Sequence, residues 1–532
     1  MTQRPFTTLS AALALAACAA PVSRGPAPLV APPAAAAPVG TAAASAGGLD
    51  LAGAAATITP ADMYARIEFL ASDRMRGRNT PSPELEIAAE YLVNQYKLMG
   101  FAPAGENGTF YQWYPYPLRR LRAEGAGFEV RGSAGAERLA LGRDFFSAGG
   151  TAQPLSGGLV FAGTGRDEVM GEGSLRDRVV LLALPGRYTR DFRLERTRQV
   201  NAARRAGALA VVHLLEQGWT ADSIATYAEA SRRAGRTLGA ALAYPQFFVA
   251  WPAADRLFRA AGLSLPELWR GAATTQPVPL PGLTAQAGLP VETLEESRAP
   301  NVVAVLPGSD PVLRNEYVVL SAHMDHVGVG RPVNGDSIYN GADDDASGTS
   351  GLLEVAQALA GMGVRPRRSI VFLHVSGEEK GLLGSQWFSE HPTLPLAQIV
   401  ANVNLDMIGR NAPDSVVVIG KDYSSLGPLA ERVQAAHPEL GLTLSDDLWP
   451  EERFFFRSDH FNFARKEVPA IFFFSGVHED YHQPSDEVEK IDTDKAARIS
   501  RMVFYLVNEI ANAQERPRWD PRGLAEVRRM TR

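Results

Sequence analysis

Five short clusters of histidines and acids, spread over residues 321–486, constrain this chain more than any other feature. They are Ser321-Ala-His-Met-Asp-His326, Gly341-Ala-Asp-Asp-Asp-Ala-Ser-Gly348, Ser376-Gly-Glu-Glu-Lys-Gly381, Asn404-Leu-Asp-Met-Ile-Gly409 and Asp480-Tyr-His-Gln-Pro-Ser-Asp486. Runs at 317–320, 369–375, 399–405 and 470–474 are apolar and rich in β-formers, and each precedes one cluster. Such runs predict buried strands. In an open parallel α/β sheet, ligands bind beyond the carboxyl ends of the strands. Four strands would therefore deliver polar side chains to one edge, with the acidic loop at 343–345 following the first of them.

The surrounding pattern supports that fold. Strands are predicted at 301–306, 317–323, 369–375, 399–406, 415–420 and 470–475. Helices are predicted at 347–360, 381–390, 424–437 and 493–513. Alternation of this kind implies an α/β class, a doubly wound, mostly parallel sheet with helices on both faces. Histidines and carboxylates without a thiolate suit zinc or a similar divalent metal. A shared carboxylate lets two metals sit roughly 3.5–4 Å apart, the spacing of metal-assisted hydrolysis. In a doublet such as Glu378-Glu379, one acid can hold metal while its neighbour handles protons. A single His-x-Asp or acidic turn is more often solvated surface; five in order at strand ends are a site.

These clusters resemble the co-catalytic dizinc exopeptidases typified by bacterial leucyl aminopeptidases and glutamate carboxypeptidases. The resemblance is close over 299–513 and looser over 57–117. It implies that His323 and Asp406 hold one zinc, Glu379 and His482 the other, and that Asp344 bridges them. It further implies Glu378 as general base, Asp325 bound to the far nitrogen of His323, and Tyr481 as an oxyanion donor. The expected activity is hydrolysis of a peptide bond at a chain end, with a peptide or protein terminus as substrate. A carboxypeptidase, a one-zinc glutaminyl-cyclase-like transferase and a receptor-like binding protein of the same fold are the rival readings. Arg410 and Arg457 are the candidate cations for a terminal carboxylate. The aminopeptidase reading leans on Asp446, Asp447, Glu451 and Glu452, four acids in the loop ahead of the last ligand, which could hold a substrate ammonium group.

The rest of the chain divides by composition. Residues 1–18 read as a signal peptide with a lipobox, Leu15-Ala-Ala-Cys18, ending in the only cysteine of the chain. A lone thiol forms no internal disulfide, and lipid attachment accounts for its position. The expected location is thus the bacterial cell envelope, lipid-anchored through Cys18, or the periplasm or medium if Cys18 carries no lipid. Residues 19–56, mostly Ala, Pro, Gly and Ser, read as a flexible tether. Residues 57–117 carry two helices that begin at Thr59-Pro and end near Gly100. Residues 118–295 are similar to the protease-associated domain inserted into many relatives, with strands at 179–184 and 208–215 and a return linker at 276–289. The catalytic domain spans 296–515, and 516–532 reads as a charged, frayed tail. A net charge of −6 argues against a nucleic-acid partner.

Overall fold

The computed structural model describes residues 48–532, apart from 134, 167, 187–189, 240–241 and 532. The readings of residues 1–18, with Cys18, and of 19–47 lie outside the described residues. The end of the expected tether does not follow its composition. Leu51–Ala56 is a helix, with the Asp50 carboxylate accepting the Gly53 N–H. Ala54 and Ala55 pack into the main core, and that burial offsets the cost of ordering the segment. Among the described residues, no helix is long and apolar enough to cross a membrane.

A nine-stranded sheet organises the molecule. Its inner strands Ser369–Val375, Tyr317–His323, Ile399–Leu405 and Ala470–Phe474 are mutually parallel. Arg298–Leu306 and Ser415–Ile419 flank them antiparallel, a common arrangement at the edges of parallel sheets. Side chains alternate between faces along each strand. Val318, Leu320, Ile370 and Phe372 face a core shared with helices Pro60–Leu70, Pro83–Leu98, Gly348–Gly361 and Thr493–Asn512. Val319, Val371, Leu373, Phe472 and Phe474 face a second core holding Phe388 and Phe463 from the helices opposite. Both faces are covered, so these strands read as continuous apolar runs, as a doubly wound α/β sheet requires. The two N-terminal helices begin as their sequences dictate: the Thr59 and Ser82 hydroxyls accept the N–H groups of Asp62 and Leu85.

A second, eight-stranded sheet is built from residues 127–288 and has its own apolar core. Arg178–Leu184 and Ala210–Leu215 lie at its centre, parallel to each other. The expected return linker is instead one of its inner strands, Val278–Gly288, paired on both sides. Pro279 sits at a register shift that runs to Thr284, where a missing N–H is tolerated. Beyond the shift, Ala285 and Ala287 point inward and the strand pairs normally. The charged tail is likewise structured. Pro521–Thr531 is a helix whose Val527 is buried, and Trp519 Nε1 donates to the Glu467 carbonyl at 2.7 Å. Its charges cover the outer face while a few apolar contacts hold the inner one.

Candidate functional site

The sequence brings its acids and histidines to the carboxyl edge of the four parallel strands. His323 ends one strand, Asp406 follows another, Glu378 and Glu379 follow the third, and His482 lies in the turn beyond the fourth. His482 adopts a left-handed backbone, φ +54°, uncommon for a non-glycine residue and typical of a turn that must aim a side chain.

The acidic triplet divides its work. Asp345 Oδ2 accepts the His323 N–H at 3.1 Å, and its Oδ1 accepts the N–H groups of Met407 at 3.1 Å and Gly348 at 2.9 Å. Asp343 Oδ1 accepts the Gly409 N–H at 2.7 Å. The Asp486 carboxylate accepts from the Asp343 and Asp344 backbones at 3.0–3.2 Å. The outer acids thus tie the loop to two strand ends, and Asp344 alone presents its carboxylate to the site. The buried Arg78 guanidinium reinforces the loop by donating to the carbonyls of Met324, Asn340 and Gly341 at 2.7–3.0 Å.

Asp344 lies between two donor sets. Its Oδ1 is 3.2 Å from His323 Nε2, which is 3.6 Å from Asp406 Oδ1. Its Oδ2 is 3.1 Å from His482 Nε2, which is 3.0 Å from Glu379 Oε2. The structure therefore brings together His323, Asp344, Glu379, Asp406 and His482. It adds His326, which had no assigned role although it closes the first cluster: its Nδ1 is 2.8 Å from Glu379 Oε1 and 3.7 Å from Asp344 Oδ2. Donor atoms of His323, Asp344 and Asp406 lie within 4.8 Å of one another, as do those of His326, Asp344 and Glu379.

The electrostatics fit a cationic occupant. Burial favours neutral histidines, yet His323 is held well above the ordinary imidazole range by Asp406 and Asp344. His482 is raised to about 10, against burial, by Asp344 and Glu379. Burial also opposes ionisation of Glu379, and the facing His326 and His482 imidazoles still pull it down to about 2. A cluster that draws protons onto its histidines is short of positive charge. Divalent metal supplies that charge and leaves the imidazoles as neutral donors. The donor set, nitrogen and carboxylate oxygen only, fits zinc or a similar ion.

Beside the donors is a cleft whose polar wall includes Glu378 and Tyr481. Its apolar wall is Met407, Phe454, Phe472, Phe474 and Val477. Burial raises the Glu378 carboxyl well above the ordinary range; His323 opposes this, while Glu379, Asp406 and Asp459 add to it. Burial, with Asp344 and Glu379 nearby, likewise raises Tyr481, which stays a phenol donor. Its ring stacks on His482 with centroids 4.0 Å apart.

Two expectations change. The far nitrogen of His323 meets the backbone carbonyl of Asp325 at 3.1 Å, whereas the Asp325 carboxylate is 3.8 Å away. That carboxylate accepts the Thr80 hydroxyl at 2.8 Å and the Glu378 N–H at 3.3 Å. Asp325 is thus placed beside His323 as expected, but its side chain anchors the loop carrying Glu378. Its two bonds to Thr80 and Glu378 hold the carboxylate on that loop and leave the backbone carbonyl as the partner nearer the imidazole. The four loop acids also lie elsewhere than expected. Asp446 pairs with Lys421 at 2.5 Å, Glu452 with Arg457 at 3.2 Å, and Asp447 accepts the Trp449 N–H at 2.8 Å. Glu451 is exposed, and the loop's contribution to the cleft is Phe454 and Arg457. Arg410 is bound to Asp480 at 2.8 Å.

Sequence reasoning also passed over Ser458. Its hydroxyl donates to Asp406 Oδ2 at 2.6 Å and accepts from Asn404 Nδ2 at 2.8 Å. Asn404 Oδ1 in turn accepts from Ser321 at 2.5 Å. This buried polar chain fixes one donor from inside the sheet. A pattern of polar residues inside otherwise apolar strands was the signal that could have revealed it.

Residues 301–507 match the family described as Peptidase family M28. A protein of Arthroderma benhamiae described as "Probable leucine aminopeptidase" is 28% identical over 222 residues, covering 40% of this chain and 58% of that protein. A "Probable zinc metalloprotease" of Pyrenophora teres f. teres is 26% identical over 261 residues, covering 41% of this chain and 53% of that one. The chain therefore spans little more than half the length of either relative. A solved "Aminopeptidase from Aneurinibacillus sp. strain AM-1" is 20% identical with a TM-score of 0.45, covering 87% of this chain and 96% of that one.

Proposed function

We propose, from the premise that residues 301–507 form a domain of peptidase family M28, that this protein is a metal-dependent exopeptidase and an aminopeptidase. The observation that carries the reading is Asp344 shared between two donor sets, His323–Asp406 and Glu379–His482, beside a carboxylate in a cleft with an aromatic wall. Those five side chains would hold two divalent metals, zinc being the ion named for one relative. Bound there, the metals supply Lewis acidity, acidifying water and polarising a carbonyl.

The chain's own residues do the rest. Glu378 lines the cleft beside His323 and Asp344, and serves as the base that takes a proton from water and returns it to the leaving amine. Tyr481, kept protonated, donates to the oxygen that gains charge. Phe454, Phe472 and Phe474 exclude water, which strengthens each of these interactions. Asp325 and Thr80 hold the Glu378 loop in place through the Glu378 and Gly377 N–H groups.

The aminopeptidase reading rests on the relative described as a leucine aminopeptidase, since none of the loop acids lines the cleft. One observation favours a carboxypeptidase: the Arg457 guanidinium lines the cleft, stacked 4.7 Å over Phe454. One peptide with a free, then an acetylated, N-terminus separates the two. Acetylation should abolish cleavage. If it leaves kcat/KM unchanged while C-terminal amidation abolishes cleavage, the enzyme is a carboxypeptidase. We also propose a lipid anchor on Cys18. Labelled fatty acid should appear on the wild-type protein and not on Cys18→Ser; if neither takes label, the signal peptide is an ordinary cleaved one.

A further inference from the structure

We propose that His326 is a fourth protein donor at the Glu379–His482 position, which makes the two metal positions unequal: one closed and tightly held, the other open. The inference rests on the metal-centre reading above and goes beyond its five donors.

His326 is fully buried, and neither ring nitrogen makes an aligned hydrogen bond. Glu379 Oε1, 2.8 Å from its Nδ1, is also without an aligned partner. Buried polar atoms almost always find partners, and leaving them unmet is costly. Two such atoms facing each other, with Asp344 Oδ2 at 3.7 Å, are what a shared cation would satisfy. The backbone makes room for this ring. Gly341 has φ +63°, and a Cβ there would lie 2.5 Å from the His326 ring. A hydrogen bond of 3.3 Å from the His326 N–H to the Arg78 carbonyl fixes the residue from below. Its ring meets the His482 ring edge to face, with centroids 5.5 Å apart, so the two imidazoles approach Glu379 and Asp344 without overlapping.

The count of donors then differs between the positions. His323, Asp344 and Asp406 give three, which leaves a tetrahedral ion one open place for water or substrate. Asp344, Glu379, His482 and His326 give four, the number of a closed structural site. The open position also borders the cleft, which His323, Asp344 and Asp406 line beside Glu378. His326 lies wholly behind, whereas the His482 side chain is 37% exposed. The Asp406 side is therefore the position left open to water or substrate, and the Glu379 side would hold its ion more tightly.

The test uses the full chain loaded with zinc, then with cobalt(II), and follows metal release into a chromogenic chelator. Wild type should release two metals per chain in separate fast and slow phases. His326→Ala should keep its fold, speed the slow phase at least ~10-fold and change the cobalt absorption of the tight position. His482→Ala should still bind two metals, because His326 remains. If His326→Ala does not fold, His326→Gln, which fills the space, takes its place. A wild-type protein that binds fewer than two metals overturns the metal-pair reading itself. Two metals in wild type with unchanged release and spectrum in the His326 variant overturn the inference alone. Loss of the second metal in His482→Ala overturns it as well.

Discussion

Replacing Glu378 by Gln is the sharpest test of how this site works. The change keeps the shape of the side chain and removes its ability to accept a proton. Nothing that positions the loop depends on the carboxylate. The Glu378 N–H reaches Asp325 Oδ1 at 3.3 Å and the Gly377 N–H reaches the Thr80 hydroxyl at 3.0 Å, both through the backbone. The proposed metal donors belong to Glu379 and its partners, so metal content should hold at two per chain. What is lost is general-base catalysis, about 10²–10⁴-fold in kcat. At 1.36 kcal/mol per decade that is about 3–5 kcal/mol of transition-state stabilisation. Because the proton moves only during the reaction, kcat and kcat/KM should fall together with KM nearly unchanged. The base works ionised, so wild-type kcat/KM should decline as pH drops through the Glu378 pKa, and that acid limb should vanish in the variant. Steady-state kinetics on a leucyl peptide across pH, with metal analysis of each sample, measures all of this. Near-wild-type turnover with both metals bound would place the base on another residue.

Three other outcomes follow from the same geometry. Dialysis against a chelator should abolish activity and lower the melting temperature, and zinc should restore both; a ligand at 100 times its Kd adds about 2.7 kcal/mol of stability. Full activity after metal removal would refute the metal-dependent reading. Ser458→Ala removes the 2.6 Å hydrogen bond to Asp406 Oδ2 and should weaken metal affinity about 10–100-fold with the fold intact, as competition with a fluorescent chelator would show. Arg66 and Glu354 form a buried ion pair at 2.6 Å, so Arg66→Met should cost about 3–5 kcal/mol in urea unfolding, and the double replacement Arg66→Met with Glu354→Leu should recover most of it.

The parallel core of the fold was legible because it is buried on both faces. Such strands are predominantly apolar, and Ser369–Val375 and Ala470–Phe474 are buried at every position. The surrounding pieces were harder to read because their signals are local and weak. Val278–Gly288 begins with two prolines, which read as a linker; pairing on both sides beyond the register shift overrides them. The helix Pro521–Thr531 carries four charges in a short stretch with few apolar residues, and contacts with distant residues such as Glu467 hold it down. Local composition carries no record of partners that arrive from elsewhere in the chain.

The site divides along the same line. Which residues gather follows from strand ends, and strand ends are written in the sequence. Where each carboxylate points depends on the packing that fixes its loop. The 445–460 segment makes the point. Its four acids suggested a docking place for an ammonium group, but Phe454 and Phe455 are buried, Phe454 against Trp449 and Phe474 and Phe455 against Tyr423 and His460. Burying two aromatic rings outweighs the weak preference of exposed acids for any one direction. Those rings fix the loop with Asp446 paired to Lys421 and Glu452 paired to Arg457, and of the four acids, Phe454 and Arg457 only the last two line the cleft. A cleft edged by one guanidinium, whose charge Glu452 already meets at 3.2 Å, neither repels an ammonium strongly nor captures a carboxylate unaided. Preference for one chain end must then come from the carboxylate-lined side, where Glu378, Asp344 and Asp406 meet the cleft. It will depend on how much of their charge remains once metal is bound.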